Sequence, residues 1–184
     1  METQSHEGSI ETGWVVITGP PSSGKTTLLN LIGASGEAIS PDSTRALIAE
    51  VAAEGRDPEE FRFADDFQPR TLAAMLRAED LLNPVQRTFL EYALPCNIAF
   101  HRTESRPLTA GLADAATKYR YAQVFILDPL EFVADDERVE DEDYQRTVHA
   151  HMHEVYAELG YTPIRVPTVT PDERLAFVLE RLGE

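Results

Sequence analysis

One short stretch, Thr18-Gly-Pro-Pro-Ser-Ser-Gly-Lys-Thr-Thr27, limits what this chain can fold into more than any other. Gly19 and Gly24 bracket four residues, and Lys25 and Thr26 follow at once. Before the loop, Trp14-Val-Val-Ile-Thr18 predicts a short buried strand; after it, Thr27 to Ile32 is compatible with a helix. Glycines at this spacing permit a compact turn whose successive backbone N–H groups face inward, the Walker A arrangement that surrounds phosphates. A helix opening at Lys25 adds unpaired N–H groups and partial positive charge at the same place. Gly19, Pro20, Ser22, Ser23, Gly24, Lys25, Thr26 and Thr27 are therefore the candidate nucleotide-binding residues, with Lys25 reaching the β- and γ-phosphates and Thr26 offering its hydroxyl to Mg²⁺. Lys25 and Lys118 are the only lysines in the chain, so composition alone does not account for a lysine at this position.

The rest of the chain extends that strand and helix into an alternating series. Glu37 to Ser40 predicts a short strand, and Pro41-Asp42 opens a helix to about Gly55. Asp57 to Phe67 has no clear period and reads as loop, while Thr71 to Asp80 and Val85 to Tyr92 read as helices broken at Asn83-Pro84. Cys96 to Phe100 is expected as a buried strand, the stretch to Leu108 as irregular and the residues to about Lys118 as helical. Val124 to Leu127 predicts a strand ended by Asp128-Pro129. Tyr144, Val148, Met152, Val155 and Leu159 recur at helical spacing up to Gly160, and Pro163 to Val166 forms the next strand. Thr170, Pro171 and Glu173 then combine an N-cap, a first-turn proline and a capping-box glutamate. Strands separated by helices predict an α/β fold in three layers, a parallel sheet covered on both faces, with ligands gathering at the carboxyl ends of the strands.

Charge narrows the partners. The formal net charge of −16 over 184 residues repels a phosphate backbone, which excludes nucleic acid as the expected partner and leaves a small molecule or a protein. No apolar run approaches the roughly 20 residues of a membrane helix. Residues 1–13 are polar and acidic and are expected as a loose tail before a domain spanning 14–184. A single cysteine, Cys96, excludes an internal disulfide and suggests a reducing, cytoplasmic setting.

The segments "GPPSSGKTT", "SPDSTRALIAE", "YAQVFILDPLEF", "DDERVEDEDYQRTVH" and "VYAELGYTPIRVPTVTPDERLAFVLERL" together resemble the NadR-type AAA family, P-loop ATPases similar to nucleotide kinases that include the ribosylnicotinamide kinase domain of NadR. The resemblance runs from Trp14 onward and is weakest between Arg56 and Ala122. It implies a nucleotide-kinase-like P-loop fold with a lid, ATP and Mg²⁺ as cofactors, and transfer of the γ-phosphate to a small acceptor. It also implies roles for further residues. Asp42 stands where a carboxylate would take the proton of an acceptor hydroxyl, and Arg45 where a guanidinium would hold a phosphate; alternatively, Asp42 simply caps its helix.

At the end of the third strand the family usually carries an Asp-Arg pair, and the expected strand "CNIAF" runs instead into His101-Arg102-Thr103-Glu104. Arg102 keeps the positive charge there, with His101 and Glu104 as substrate-binding candidates. The oxygen ligand of Mg²⁺ then falls to Glu104, Asp42 or Asp128, or to Thr26 with phosphates and water. Asp128 ends a hydrophobic strand as a metal-binding aspartate would, though a strand ending in Asp-Pro is also an ordinary turn. Arg138 and Arg146 fall in the implied lid and would stabilise the transferring phosphoryl group. His149 and His153 are spaced to pinch a zinc ion, but no third ligand is evident. Besides a kinase, the sequence admits a plain NTPase or a nucleotide-binding regulatory module.

Overall fold

A computed structural model describes residues 8–130 and 142–183. Its centre is β2 (Trp14–Thr18), every residue of which is buried. Side chains alternate along this strand: Trp14 and Val16 point into one core and Val15 and Ile17 into the other, so neither face is left to water.

Around β2 the chain lays down α1 (Lys25–Ala34), β3 (Ala38–Ser40), α2 (Ser43–Ala53), α3 (Pro58–Arg62), α4 (Phe67–Asp80) and β4 (Thr88–Glu91). It continues through α5 (Leu94–Thr103), α6 (Leu112–Ala115), β6 (Gln123–Leu127), α7 (Glu142–Glu158), β7 (Ile164–Val166) and α8 (Pro171–Leu182). The strands assemble in the order β3-β4-β2-β6-β7, all parallel. Residues of α1 and α8 pack on one face with Phe89, Phe125 and Val166, while residues of α4, α5 and α7 pack on the other with Leu90, Val124 and Ile126. This is the three-layer α/β architecture that alternating strands and helices predict. A smaller cluster of Leu47, Val51 and Phe61 joins α2 and α3, with Phe67 of α4 packed against it. The predicted capping box of α8 is present: Thr170 accepts from the Glu173 backbone N–H, and the Glu173 side chain accepts in return.

Three expectations about local structure are corrected. Val85 to Tyr92 is not a helix but contains β4, whose four residues are all buried beside β2. Cys96 to Phe100 is not a strand but lies inside α5, which has a proline in its first turn at Pro95. Both errors share a cause, since a short buried apolar run carries no period that separates strand from helix. The expected loop from Asp57 to Phe67 holds α3, started by Asp57 accepting from the backbone N–H groups of Glu59 and Glu60 and by Pro58 behind it. The described part of the expected tail is also engaged: β1 (Ile10–Glu11) pairs in parallel with β5 (Tyr119–Arg120).

Candidate functional site

β2 lies between β4 and β6, and three features meet at the shared carboxyl edge of these strands: the loop after β2, Glu91 at the end of β4 and Asp128 just after β6. The loop needs its two glycines. A Cβ on Gly19 would stand 2.8 Å from the Leu127 carbonyl oxygen and 2.9 Å from Ser23 Oγ. Gly24 caps α1 in the left-handed region at φ 87°. Neither a side-chain cap nor an acidic residue in the first turn answers the opening N–H groups of α1, so the loop keeps them for an anion. Arg174 of α8 braces the loop from behind, donating to the carbonyl oxygens of Ser23 and, at 3.0 Å, Pro167.

Lys25 is 6% exposed, and its ammonium donates to the Pro20 carbonyl at 2.7 Å while lying 4.9 Å from the centre of the Tyr92 ring. Burial pulls its pKa down from 10.5 to about 8. Between those two values the unfolded chain binds more protons than the folded one, so stability of the unliganded protein rises with pH through that window. Lys25→Met removes this term: between pH 7 and 10, denaturant unfolding should show wild type gaining up to about 3 kcal/mol more than the variant. Equal gains would contradict a desolvated amine.

Beside Lys25, the Thr26 hydroxyl donates to Glu91 Oε1 at 2.7 Å. This pair corrects the reading of His101. The third strand of the five-stranded sheet in chain order is β4, and it ends in a carboxylate, Glu91. His101 instead lies in α5 at 2% exposure, with Nδ1 2.8 Å from the Asn97 carbonyl oxygen and Nε2 3.0 Å from Thr109 Oγ1. A carbonyl only accepts, so Nδ1 carries the proton and Nε2 accepts from Thr109. Both ring nitrogens are committed to holding the end of α5. Arg102 lies outside the cleft lining and pairs with Glu158 of α7, with one contact at 2.8 Å.

The cleft in front of the loop has a volume of about 440 Å³. Pro21, Ser22, Lys25, Asp42, Arg45 and Glu104 all line it. Asp42 caps α2 by accepting from the Thr44 N–H at 2.8 Å, and Arg45 Nε lies 3.7 Å from its other oxygen. Burial raises the Asp42 pKa above its ordinary 3.8. Capping its helix and facing the cleft are thus properties of one carboxylate. Glu104 sits in an ion pair with Arg106 at 2.7 Å and accepts from the Tyr144 hydroxyl at 3.3 Å. Cys96 is buried deeper in the cleft wall, 3.2 Å from both Thr18 Oγ1 and the Tyr156 hydroxyl. Burial pushes its thiol pKa up, which makes it a poor nucleophile.

Asp128 is turned to other partners. Arg165 Nε lies 2.5 Å from Oδ1 and His149 Nε2 3.5 Å from the same atom. The rings of His149 and His153 stand edge to face at 4.8 Å, and no cluster of three or more metal-ligating side chains occurs among the described residues. Arg146 is 61% exposed and pairs with Asp143 at 3.1 Å and with Glu142, outside the cleft lining. Arg138 lies outside the described residues. Oxygen donors suited to a hard divalent cation also stand at Thr26 and Glu91, within hydrogen-bond distance of each other. Sequence reasoning missed Glu91 and Tyr92, although the apolar run "TFLE" ending in a carboxylate has the same form as "VFILD". Tyr92 adopts a left-handed φ of 64° at the strand end, an unusual backbone for a ring-bearing residue in a site.

Comparison with solved structures places this architecture among known ones. A NadR protein in complex with NR superposes with a TM-score of 0.71 at 16% identity over 97% of this chain and 52% of that one. Deoxyadenosine kinase from M. mycoides gives 0.62 at 13% identity, covering 92% and 98%. Thymidylate kinase from Candida albicans gives 0.63 at 16%, covering 94% and 91%. The chain thus spans about half the length of the NadR protein it matches, and at these identities the likeness is one of fold. Among curated protein sequences none matches significantly. A family model described as an AAA domain does match, over residues 14–174, and the chain belongs to that family.

Proposed function

We propose that this chain is a phosphotransferase that moves the γ-phosphate of ATP to a hydroxyl of a small, nucleoside-like acceptor with the help of Mg²⁺. The observation that carries the reading is the joining, at one strand edge, of an anion-ready loop with Lys25, an oxygen pair at Thr26 and Glu91, and a cleft that runs from that loop to Asp42 and Glu104. The regulatory alternative draws on His101 in place of the family's aspartate and on the acidic surface, and a carboxylate at the end of β4 weakens the first of these grounds. Solved structures named as nucleoside and nucleotide kinases share the fold, which supports the reading.

In this scheme Asp42 accepts the proton of the acceptor hydroxyl as its oxygen bonds to phosphorus and the bond to the departing ADP oxygen breaks. Its raised pKa makes it a stronger base than an exposed aspartate. Lys25 and the α1 N–H groups balance charge on the phosphates. Thr26 and Glu91 would hold Mg²⁺, which would neutralise phosphate charge when bound. Arg45 faces the cleft, where a guanidinium can orient the acceptor or its phosphate. Arg138 and Arg146 stand where the resemblance puts lid arginines that would stabilise the transferring group, while Arg102 and Arg146 are engaged in ion pairs with Glu158 and with Glu142 and Asp143. The acidic surface fits small-molecule substrates in a cytoplasmic protein, and no helix among the described residues is long and apolar enough to cross a membrane.

Incubation with γ-labelled ATP, Mg²⁺ and a panel of nucleosides, nucleotides and other hydroxyl-bearing metabolites tests the proposal. Label should move to an acceptor faster than it appears as free phosphate. Free phosphate alone, at a rate no acceptor alters, would establish an NTPase instead.

A further inference from the structure

Among the described residues three buried side-chain polar atoms have no hydrogen-bond partner, and two of them, Gln68 Oε1 and Thr71 Oγ1, belong to residues that line the same cleft. Native proteins leave few such atoms, and each calls for an explanation. Thr71 is 5% exposed, so water reaches it poorly. Gln68, Thr71 and Met75 follow one another at helical spacing on one face of α4, and all three line the cleft. Opposite them on α5, Asn97 has its amide nitrogen 3.8 Å from the Met75 sulfur, a weak acceptor. The neighbouring wall is aromatic: the Tyr92 and Phe100 rings meet edge to face at 5.9 Å, and both line the cleft with Met75. The cleft therefore pairs a surface suited to a planar ring with polar atoms waiting at the ring's edge.

We infer that the acceptor carries a planar heteroaromatic ring bearing an exocyclic amino or carboxamide group, and that Gln68 and Thr71 select it. Gln68 Oε1 takes the N–H of that group, and Thr71 pairs with an edge atom beside it. A ring without the group leaves both side chains unpaired in a desolvated place, and that cost is the source of selectivity. The inference rests on the cleft being the acceptor site.

Calorimetric titration with matched pairs tests it independently of phosphate transfer. Suitable pairs are adenosine with purine riboside, cytidine with pyrimidin-2-one riboside, and pyridine-3-carboxamide riboside with pyridine riboside. In wild type the amino or carboxamide member of at least one pair should bind about tenfold or more tighter. Gln68→Met and Thr71→Val, checked for folding by circular dichroism, should each bring that ratio toward one. Equal binding within every pair, or a preference that survives both substitutions, overturns the inference, as does failure of every nucleoside to bind. Selective binding without transfer of label would leave the recognition standing and count against the phosphotransfer reading alone.

Discussion

Asp42→Asn should lower kcat for the transfer reaction by about 10²–10⁴, the usual contribution of a positioned general base. Asparagine keeps the shape and can still accept from the Thr44 N–H, so the cap of α2 survives and ATP binding should hardly change. The pH profile gives a second readout. Burial raises the Asp42 pKa, so the wild-type rate should fall on the acid side as the carboxylate is protonated, at a pH above that of an exposed aspartate. That acid limb should be absent in the variant. A fall in ATP affinity equal to the fall in kcat, with the limb intact, would reduce Asp42 to a helix cap.

Glu91→Gln should lower Mg²⁺-dependent turnover by about 10²-fold, because the amide keeps a hydrogen-bond acceptor for Thr26 but loses the charge that a hard cation prefers. The loss should shrink as Mg²⁺ concentration rises if the residue acts by holding the ion. His101→Gln supplies the contrast. Its ring is bound on both sides within α5, so the substitution should lower thermal stability while leaving the Mg²⁺ dependence as it was. A large shift in Mg²⁺ dependence for His101→Gln, with none for Glu91→Gln, would place the metal site near the end of α5 instead.

These two residues also mark where the sequence was legible and where it was not. The loop, Lys25, Thr26 and Asp42 could be read because each is tied to a local signal: glycine spacing, an N-cap, a proline before a helix. The last third could be read because α7 and α8 are long, periodic and capped. Between Arg56 and Ala122 the signals are short. "RTFLEY" and "CNIAF" are both apolar runs, and only their neighbours in space decide that the first lies in the sheet between β3 and β2 while the second packs against α7. Exchanging them shifted the strand end from Glu91 to Phe100 and turned a structural histidine into a candidate at the reaction centre. Gln68 and Thr71 had no signal in sequence at all, since what marks them is the absence of a partner in three dimensions.

Arg174 carries a further consequence. Its guanidinium reaches the Ser23 carbonyl across 151 positions of sequence and also holds the Pro167 carbonyl. During synthesis the nucleotide loop emerges early, yet its rear support arrives only with the final helix. Until α8 docks, the loop lacks the brace that fixes its backbone, and Gly24 has an open space where Arg174 Nη1 later lies 3.1 Å from the position of a Cβ. On the proposed function, tight nucleotide capture during synthesis waits until α8 has docked behind the loop.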